Sequence, residues 1–186
     1  VAPAFAEGSV CSVQNGVGNE EVVARHVPRV IRGTTFPAGK ILEPGVVQWD
    51  VKGDTTLGPF EPQPATAEEI GALAEACTRG GMPTSAVADA RPAQWRKVIF
   101  NASTNPVGAL TGLTHGRVCE RPGLRALVSS LVEEGKAVAA AQEIELDADH
   151  RLRPDDRARA RHDVALAIVI AMRDHGAVQP EQDAID

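Results

Sequence analysis

Residues 95–106 read WRKVIFNASTNP and place Lys97, Asn101 and Asn105 four positions apart. On a helix with about 3.6 residues per turn, these three side chains share one face. The apolar stripe predicted on the opposite face comprises Trp95, Ile99, Ala102 and Pro106. Asparagine is a mediocre helix former, so two of them at this spacing need a reason beyond solubility. The stretch predicts a helix whose polar face is either solvated or turned toward a ligand.

Composition places the chain among soluble globular proteins. It has 186 residues, 43% of them hydrophobic, which suffices for one large or two small domains. The net charge of -6, the absence of a basic patch and the scarcity of aromatic residues argue against a nucleic-acid partner. The longest apolar run, at 164–172, is too short to span a bilayer. No nucleic-acid or membrane partner is therefore predicted.

Cysteine and histidine spacing predicts neither disulfides nor a metal site. The three cysteines are far apart and form no CxxC pair, which fits a reducing cytoplasm. The five histidines show no HxH or HExxH spacing. His115 is set apart from the others only because it follows the polar stripe.

The amino-terminal part predicts a strand, a turn and a helix. Residues 10–13, VCSV, form an apolar run, and residues 14–21, QNGVGNEE, offer Asn19 as a helix cap ahead of two glutamates. Glu21 occupies the place of a third glycine, so this is not a dinucleotide fingerprint. A hairpin turn at Asn15 is the alternative, but the helix signals favour a strand-to-helix turn of the kind that binds ligands in α/β sheets.

The remaining chain changes from strands to helices near Asp89. Capping-box residues Thr66 and Glu69 begin a predicted helix that ends in glycines. The predicted strands cover 27–36, 45–51, 54–60 and 84–89. The predicted helices that follow cover about 91–113, 121–143 and 154–175.

The motifs at 13–21 and 95–106, with GTTFPAG and EPGVV between them, resemble the ketopantoate reductase (2-dehydropantoate 2-reductase) family from about Ala2 to Asp149. The resemblance implies an α/β, Rossmann-type NADP-binding domain followed by an all-helical domain, with the active site in the cleft between them. Residues 1–88 would be a partial Rossmann-like domain without its GxGxxG half. Residues 89–186 would be an incomplete helical carboxyl-terminal domain. The chain is thus expected to be truncated at both ends.

The same resemblance implies NADPH-dependent reduction of ketopantoate to pantoate, in pantothenate and coenzyme A biosynthesis. Lys97 would be the general acid, because hydride transfer to a keto carbon leaves negative charge on the oxygen. A lysine in a closed cleft suits this task, since burial lowers its pKa toward neutrality. The implied binding residues are Asn101 and Asn105 for substrate, Asn15 for substrate and nicotinamide, and Gly39 and Glu181 for the cofactor.

Two departures from the family keep other functions open. Ala171 stands where the family carries a substrate-binding serine, which favours a paralogous reductase of another 2-keto acid. The missing GxGxxG loop favours a non-catalytic remnant that acts as a helical interaction module. The predicted partner is a small 2-keto acid, and a homodimer through the helical domain is compatible with the resemblance.

Overall fold

A computed structural model describes residues 7–146, and the chain divides into two compact units, residues 1–98 and residues 99–186. The elements of the first unit are β1 (Ser9–Ser12), α1 (Asn19–Ala24), β2 (Arg29–Thr35), β3 (Ala38–Glu43), β4 (Val46–Val51), β5 (Thr55–Pro59), α2 (Ala67–Arg79) and β6 (Thr84–Ala86). Helix α3 (Arg91–Thr111) begins in the first unit and ends in the second. The other described elements of the second unit are α4 (His115–Glu120) and α5 (Pro122–Ala141).

Four strands of the first unit form a mixed sheet in the order β1-β2-β5-β6. Strands β1 and β2 are parallel, with Val10 opposite Val30, and β6 is parallel to β5. Strands β2 and β5 are antiparallel, with Thr35 opposite Thr55. The predicted strands at 10–13, 27–36, 54–60 and 84–89 are thereby confirmed as elements of one sheet.

Strand β2 is covered on both faces, as expected for a Rossmann-type α/β sheet. Val30 and Ile31 are 0% and 3% exposed, and adjacent strand residues point to opposite faces. One buried cluster joins Ile31 to α2, and its members are Ile31, Leu57, Ala65, Ile70 and Ala74. The cluster around Val30 includes Val27 and Phe60, with residues of α1 packed against it.

Helix α2 begins at the predicted capping box. The Glu69 backbone N–H donates to the Thr66 hydroxyl over 3.1 Å, and the Thr66 N–H donates to a Glu69 carboxylate oxygen over 2.9 Å. Arg29 of β2 donates to the same carboxylate, with Nη2 2.9 Å from Oε1. The Thr66 backbone N–H, with help from Arg29, lowers the pKa of Glu69 to about 2. The cap therefore also ties α2 to the sheet.

Strands β3 and β4 form a separate two-stranded antiparallel sheet. The prediction of a strand at 45–51 is confirmed by β4. Gly39 lies within β3 opposite Trp49, outside the strands predicted from the sequence. Every residue of β3 is exposed, so this strand has no alternation of buried and exposed side chains from which it could be predicted.

The described part of the second unit is helical. The predicted helices at 91–113 and 121–143 are confirmed as α3 and α5, and the short helix α4 separates them. Helix α3 continues through Pro106, although proline removes one backbone donor from the helix. The predicted helix at 154–175 lies outside the described residues.

Candidate active site

The turn from Asn15 to Gly18 joins β1 to α1. Gly16 and Gly18 have φ of +93° and +92°, in the left-handed region that glycine adopts without steric cost. The strand-to-helix turn is thus confirmed. Asn19, however, is not the helix cap, because Gly18 occupies the N-cap position and no side chain caps it. The Asn19 amide instead donates to the Asn15 carbonyl oxygen over 3.2 Å, while the Asn15 side chain is exposed.

Lys97 is a half-buried lysine with defined partners. Its ammonium donates to the Thr35 carbonyl oxygen at the end of β2 and lies 5.6 Å from the centre of the Phe36 ring. Burial lowers the pKa of Lys97 below its usual range. The Lys97 ammonium is therefore partly buried and hydrogen-bonded to the backbone of the first unit.

Asn101 and Asn105 follow Lys97 along the same continuous helix at four-residue spacing. The Asn101 side chain is half-buried and that of Asn105 is exposed. The predicted apolar stripe is confirmed only in its first half, because Ile99 is buried and Trp95 half-buried, whereas Ala102 and Pro106 are exposed. The positions of α3 that are buried beyond residue 98 are Ile99, Ser103, Thr104 and Val107.

The two buried hydroxyls explain why apolar residues alone did not mark the whole buried face of α3. Ser103 and Thr104 both donate to the Phe100 carbonyl oxygen, over 3.1 and 2.7 Å. Serine and threonine in a helix satisfy their hydroxyls locally in this way and can then be buried. Phe100 also meets His115 edge-on, with ring centroids 5.6 Å apart.

Gly39 has a structural reason to be glycine. A Cβ at this position would lie 2.5 Å from the Gln48 carbonyl oxygen of the neighbouring strand, closer than atoms can approach. The backbone geometry of the hairpin thus accounts for this glycine. Glu181 and Ala171 lie outside the described residues.

Sequence reasoning missed a buried polar network beside the Asn15 turn. Gln94 of α3 donates to Glu20 of α1 over 3.0 Å and to the Gly16 carbonyl oxygen over 3.3 Å. Its own carbonyl oxygen accepts a hydrogen bond from Arg32 over 3.1 Å. Glutamine and glutamate are usually exposed, so nothing in their spacing indicated burial.

The described residues form neither a metal site nor a membrane-spanning helix. Within residues 7–146, no three side chains of His, Cys, Asp and Glu converge as metal ligands would. In the same part of the chain, every helix falls short of the length and apolar character that crossing a membrane requires.

Comparison with known proteins identifies the class and then the family. The family model described as "Ketopantoate reductase PanE/ApbA" matches residues 1–62, and "Ketopantoate reductase PanE/ApbA C terminal" matches residues 89–176. The class is therefore a Rossmann-type α/β unit followed by a helical unit. The chain belongs to the ketopantoate reductase family.

Individual relatives agree with this assignment. The 2-dehydropantoate 2-reductase of Archaeoglobus fulgidus is 33% identical over 146 residues, which cover 78% of this chain and 49% of the relative. The 2-dehydropantoate 2-reductase of Halobacterium salinarum is 36% identical over 135 residues, which cover 72% of this chain and 44% of the relative. The crystal structure of 2-dehydropantoate 2-reductase from Geobacter metallireducens is 27% identical, with a TM-score of 0.70 over 93% of this chain and 54% of the other. The chain thus spans about half the length of the curated relatives it matches.

Proposed function

We propose that this protein reduces 2-dehydropantoate (ketopantoate) to pantoate with NADPH as the hydride donor. The observation that carries the proposal is the half-buried Lys97 ammonium, which donates a hydrogen bond to the Thr35 carbonyl of β2. Lys97 lies on α3, the helix that also bears Asn101 and Asn105. The names of the curated relatives support the reaction.

Lys97 is the proton donor in this proposal. When bound, NADPH supplies a hydride to the keto carbon. The keto oxygen then takes a proton from the Lys97 ammonium, and water reprotonates the amine. An ammonium has three N–H donors, so the bond to Thr35 fixes its direction and leaves two for the substrate oxygen. The lowered pKa favours release of the proton, because burial destabilises the charged form.

Asn101 and Asn105 are the proposed substrate-binding residues. An amide presents both donors and an acceptor, so it can bind a carboxylate and a hydroxyl without adding charge. Their regular spacing after Lys97 fits a small 2-keto acid that is held along the helix by several polar contacts.

Asn15 fits the nicotinamide end of the cofactor. Its side chain is exposed while Asn19 holds its backbone carbonyl, so the amide is presented from a fixed turn. Donor and acceptor atoms of this amide match those of the nicotinamide carboxamide. Asn15 is also proposed to bind the substrate, as the family resemblance implies. Gly39 and Glu181 complete the proposed cofactor contacts.

The proposed setting is pantothenate and coenzyme A biosynthesis in the cytoplasm. Residues 1–88 form the proposed partial Rossmann domain and residues 89–186 the helical domain, and the start of the carboxyl-terminal family match at residue 89 supports this division. A homodimer through the helical domain is the proposed assembly.

The test uses an extended protein, in which this chain is joined to the glycine-rich amino-terminal segment and closing helices that the family resemblance implies. These segments are taken from the Archaeoglobus fulgidus relative. We expect NADPH oxidation that depends on ketopantoate, with pantoate identified by mass spectrometry and with pyruvate and 2-ketoisovalerate as poorer substrates. A stronger preference for another 2-keto acid would show that ketopantoate is not the substrate. The absence of any 2-keto acid reduction would refute the proposal.

A further inference from the structure

Gln94 connects three elements of the first unit through one buried side-chain amide. Gln94 and Glu20 are 2% and 1% exposed. The Gln94 Nε2 atom lies 3.0 Å from Oε1 of Glu20 and 3.3 Å from the carbonyl oxygen of Gly16. Oε1 of Gln94 lies 3.1 Å from Nη1 of Arg32 on β2. The amide therefore joins α3 to the sheet and to the turn before α1.

The partners of Gln94 fix the direction of its amide. The Arg32 guanidinium only donates and the Gly16 carbonyl only accepts, so the oxygen of Gln94 must face Arg32 and its nitrogen must face the turn. Both amide hydrogens are used, one on Glu20 and one on Gly16. The Gln94 amide thus has a partner for its oxygen and for both hydrogens, and this holds it in place, because leaving a buried amide unpaired is costly.

The bond to Gly16 holds the turn that presents Asn15. The Asn19 amide holds the carbonyl of Asn15, and Gln94 holds the carbonyl of the next residue. Two successive peptide groups are thus fixed while the Asn15 side chain stays exposed. This arrangement anchors a backbone and leaves its side chain available for a ligand.

Gln94 also lies on the helix that carries Lys97, three positions earlier, which is about one helical turn. We infer that Gln94 is a positioning residue that holds the Asn15 turn against α3, so that Asn15 and Lys97 meet the nicotinamide and the substrate at a fixed spacing. This inference rests on the proposed reductase function. Glu20 and Arg32 serve it by fixing the Gln94 amide.

Two variants separate the tie to Gly16 from the rest of the network. Gln94→Met removes all three hydrogen bonds. In the exchange variant Glu20→Gln with Gln94→Glu, the carboxylate at position 94 accepts from Arg32 and from the new amide at position 20, so two links persist. The Gly16 carbonyl then faces a carboxylate and has no donor. Gln142→Met, at an exposed glutamine after α5, is the matched control.

Kinetics of the extended protein give the first readout. We expect Gln94→Met to raise the KM for NADPH about five- to tenfold, because the one hydrogen bond that holds the turn, to Gly16, is lost, with kcat within about threefold. We expect Gln94→Met to lower the midpoint of thermal unfolding by about 6–12 °C, because three hydrogen bonds are lost. The exchange variant should regain most of the lost unfolding temperature but keep the raised KM for NADPH. The control should change neither quantity.

Relaxation of the Gly16 amide in the 186-residue chain, labelled with ¹⁵N, gives the second readout and does not depend on catalysis. We expect an order parameter near 0.85 in the parent and below about 0.6 in both variants. If the exchange variant restores KM together with the unfolding midpoint, Gln94 is only structural and the inference is overturned. An unchanged order parameter in Gln94→Met overturns it as well. If the extended parent reduces no 2-keto acid, the proposed function fails, and the order parameter alone then decides whether Gln94 holds the turn.

Discussion

Gly33→Ala tests the close approach of β2 to the end of β1 and to Val13, which leads into the Asn15 turn. A Cβ at this position would lie 2.8 Å from Cγ1 of Val13, 2.9 Å from Cδ2 of Leu57 and 3.0 Å from the Ser12 carbonyl oxygen. Leu57 is 1% exposed, and Ser12 is the last residue of β1, so neither can move without repacking the sheet. Val13 is 42% exposed and can move, but it leads directly into the turn.

The sizes of two opposing effects give the expected change in stability. Replacing glycine by alanine in a strand gains about 0.5–1 kcal/mol by restricting the unfolded chain. Overpacking a filled site costs about 1–3 kcal/mol. The clash therefore outweighs the gain, and the free energy of unfolding should fall by about 0.5–2 kcal/mol.

Urea denaturation of the 186-residue chain, followed by circular dichroism, measures this change. The midpoint should fall while the slope stays constant. Gly71→Ala is the matched control, because a Cβ there meets nothing within 4 Å inside α2. It should stabilise the protein by about 0.5–1 kcal/mol. If Gly33→Ala is as stable as the parent, the described packing between β1, β2 and β5 is wrong.

Two further predictions concern titrating groups in the first unit. The Thr66 N–H and Arg29 lower the pKa of Glu69 from 4.5 to about 2, so its contribution to stability is present above about pH 4.5 and is lost as pH falls toward 2. Thermal unfolding of the parent and of Glu69→Gln should therefore differ most at neutral pH and converge near pH 2, and a difference independent of pH would contradict the cap. Burial, with smaller effects of Cys77 and Glu20, raises the pKa of Cys11 from 9.0 to about 11. Alkylation of Cys11 by iodoacetamide in the folded chain, followed by peptide mass spectrometry, should keep accelerating up to about pH 11, whereas a plateau near pH 9 would show an ordinary thiol.

The sequence predicted the elements whose signals are local. The capping box at Thr66 and Glu69 needs only residues three apart, and it forms as expected. The β-branched runs of β2 and β5 are strands because their side chains suit a sheet that is packed on its faces. The change from strands to helices near Asp89 was likewise visible in the period of the apolar residues.

Features that depend on tertiary partners could not be predicted in this way. Asn19 carries the usual signal of a helix cap, but its amide reaches Asn15 because Gly18 takes the left-handed conformation at the N-cap. Ala102 was assigned to the packed face of α3, but the locally satisfied Ser103 and Thr104 occupy it. Polarity alone therefore gave only part of the packed face, since a satisfied hydroxyl is buried at little cost.

The candidate site was predicted only as far as its own helix and turn. The spacing of Lys97 and the two asparagines is a property of one helix. The acceptor of Lys97 is a carbonyl on β2, and the anchor of the Asn15 turn is a glutamine about 80 positions away along the chain. Such contacts depend on sheet order and have no signature in local sequence.

Replacement of Lys97 by alanine in the extended protein tests the central claim most directly, with ketopantoate-dependent oxidation of NADPH as the assay. Lys136→Ala is the matched control, because Lys136 is also half-buried but pairs with Glu133 on its own helix. If Lys97 is the proton donor, its loss should lower kcat by roughly 10²–10⁴-fold while circular dichroism shows a folded protein. The control should keep its kcat within about twofold, since replacing such a residue changes stability by only about 0.5 kcal/mol. A kcat for Lys97→Ala close to that of the parent would contradict the assignment of Lys97 as the acid and the reaction proposed around it.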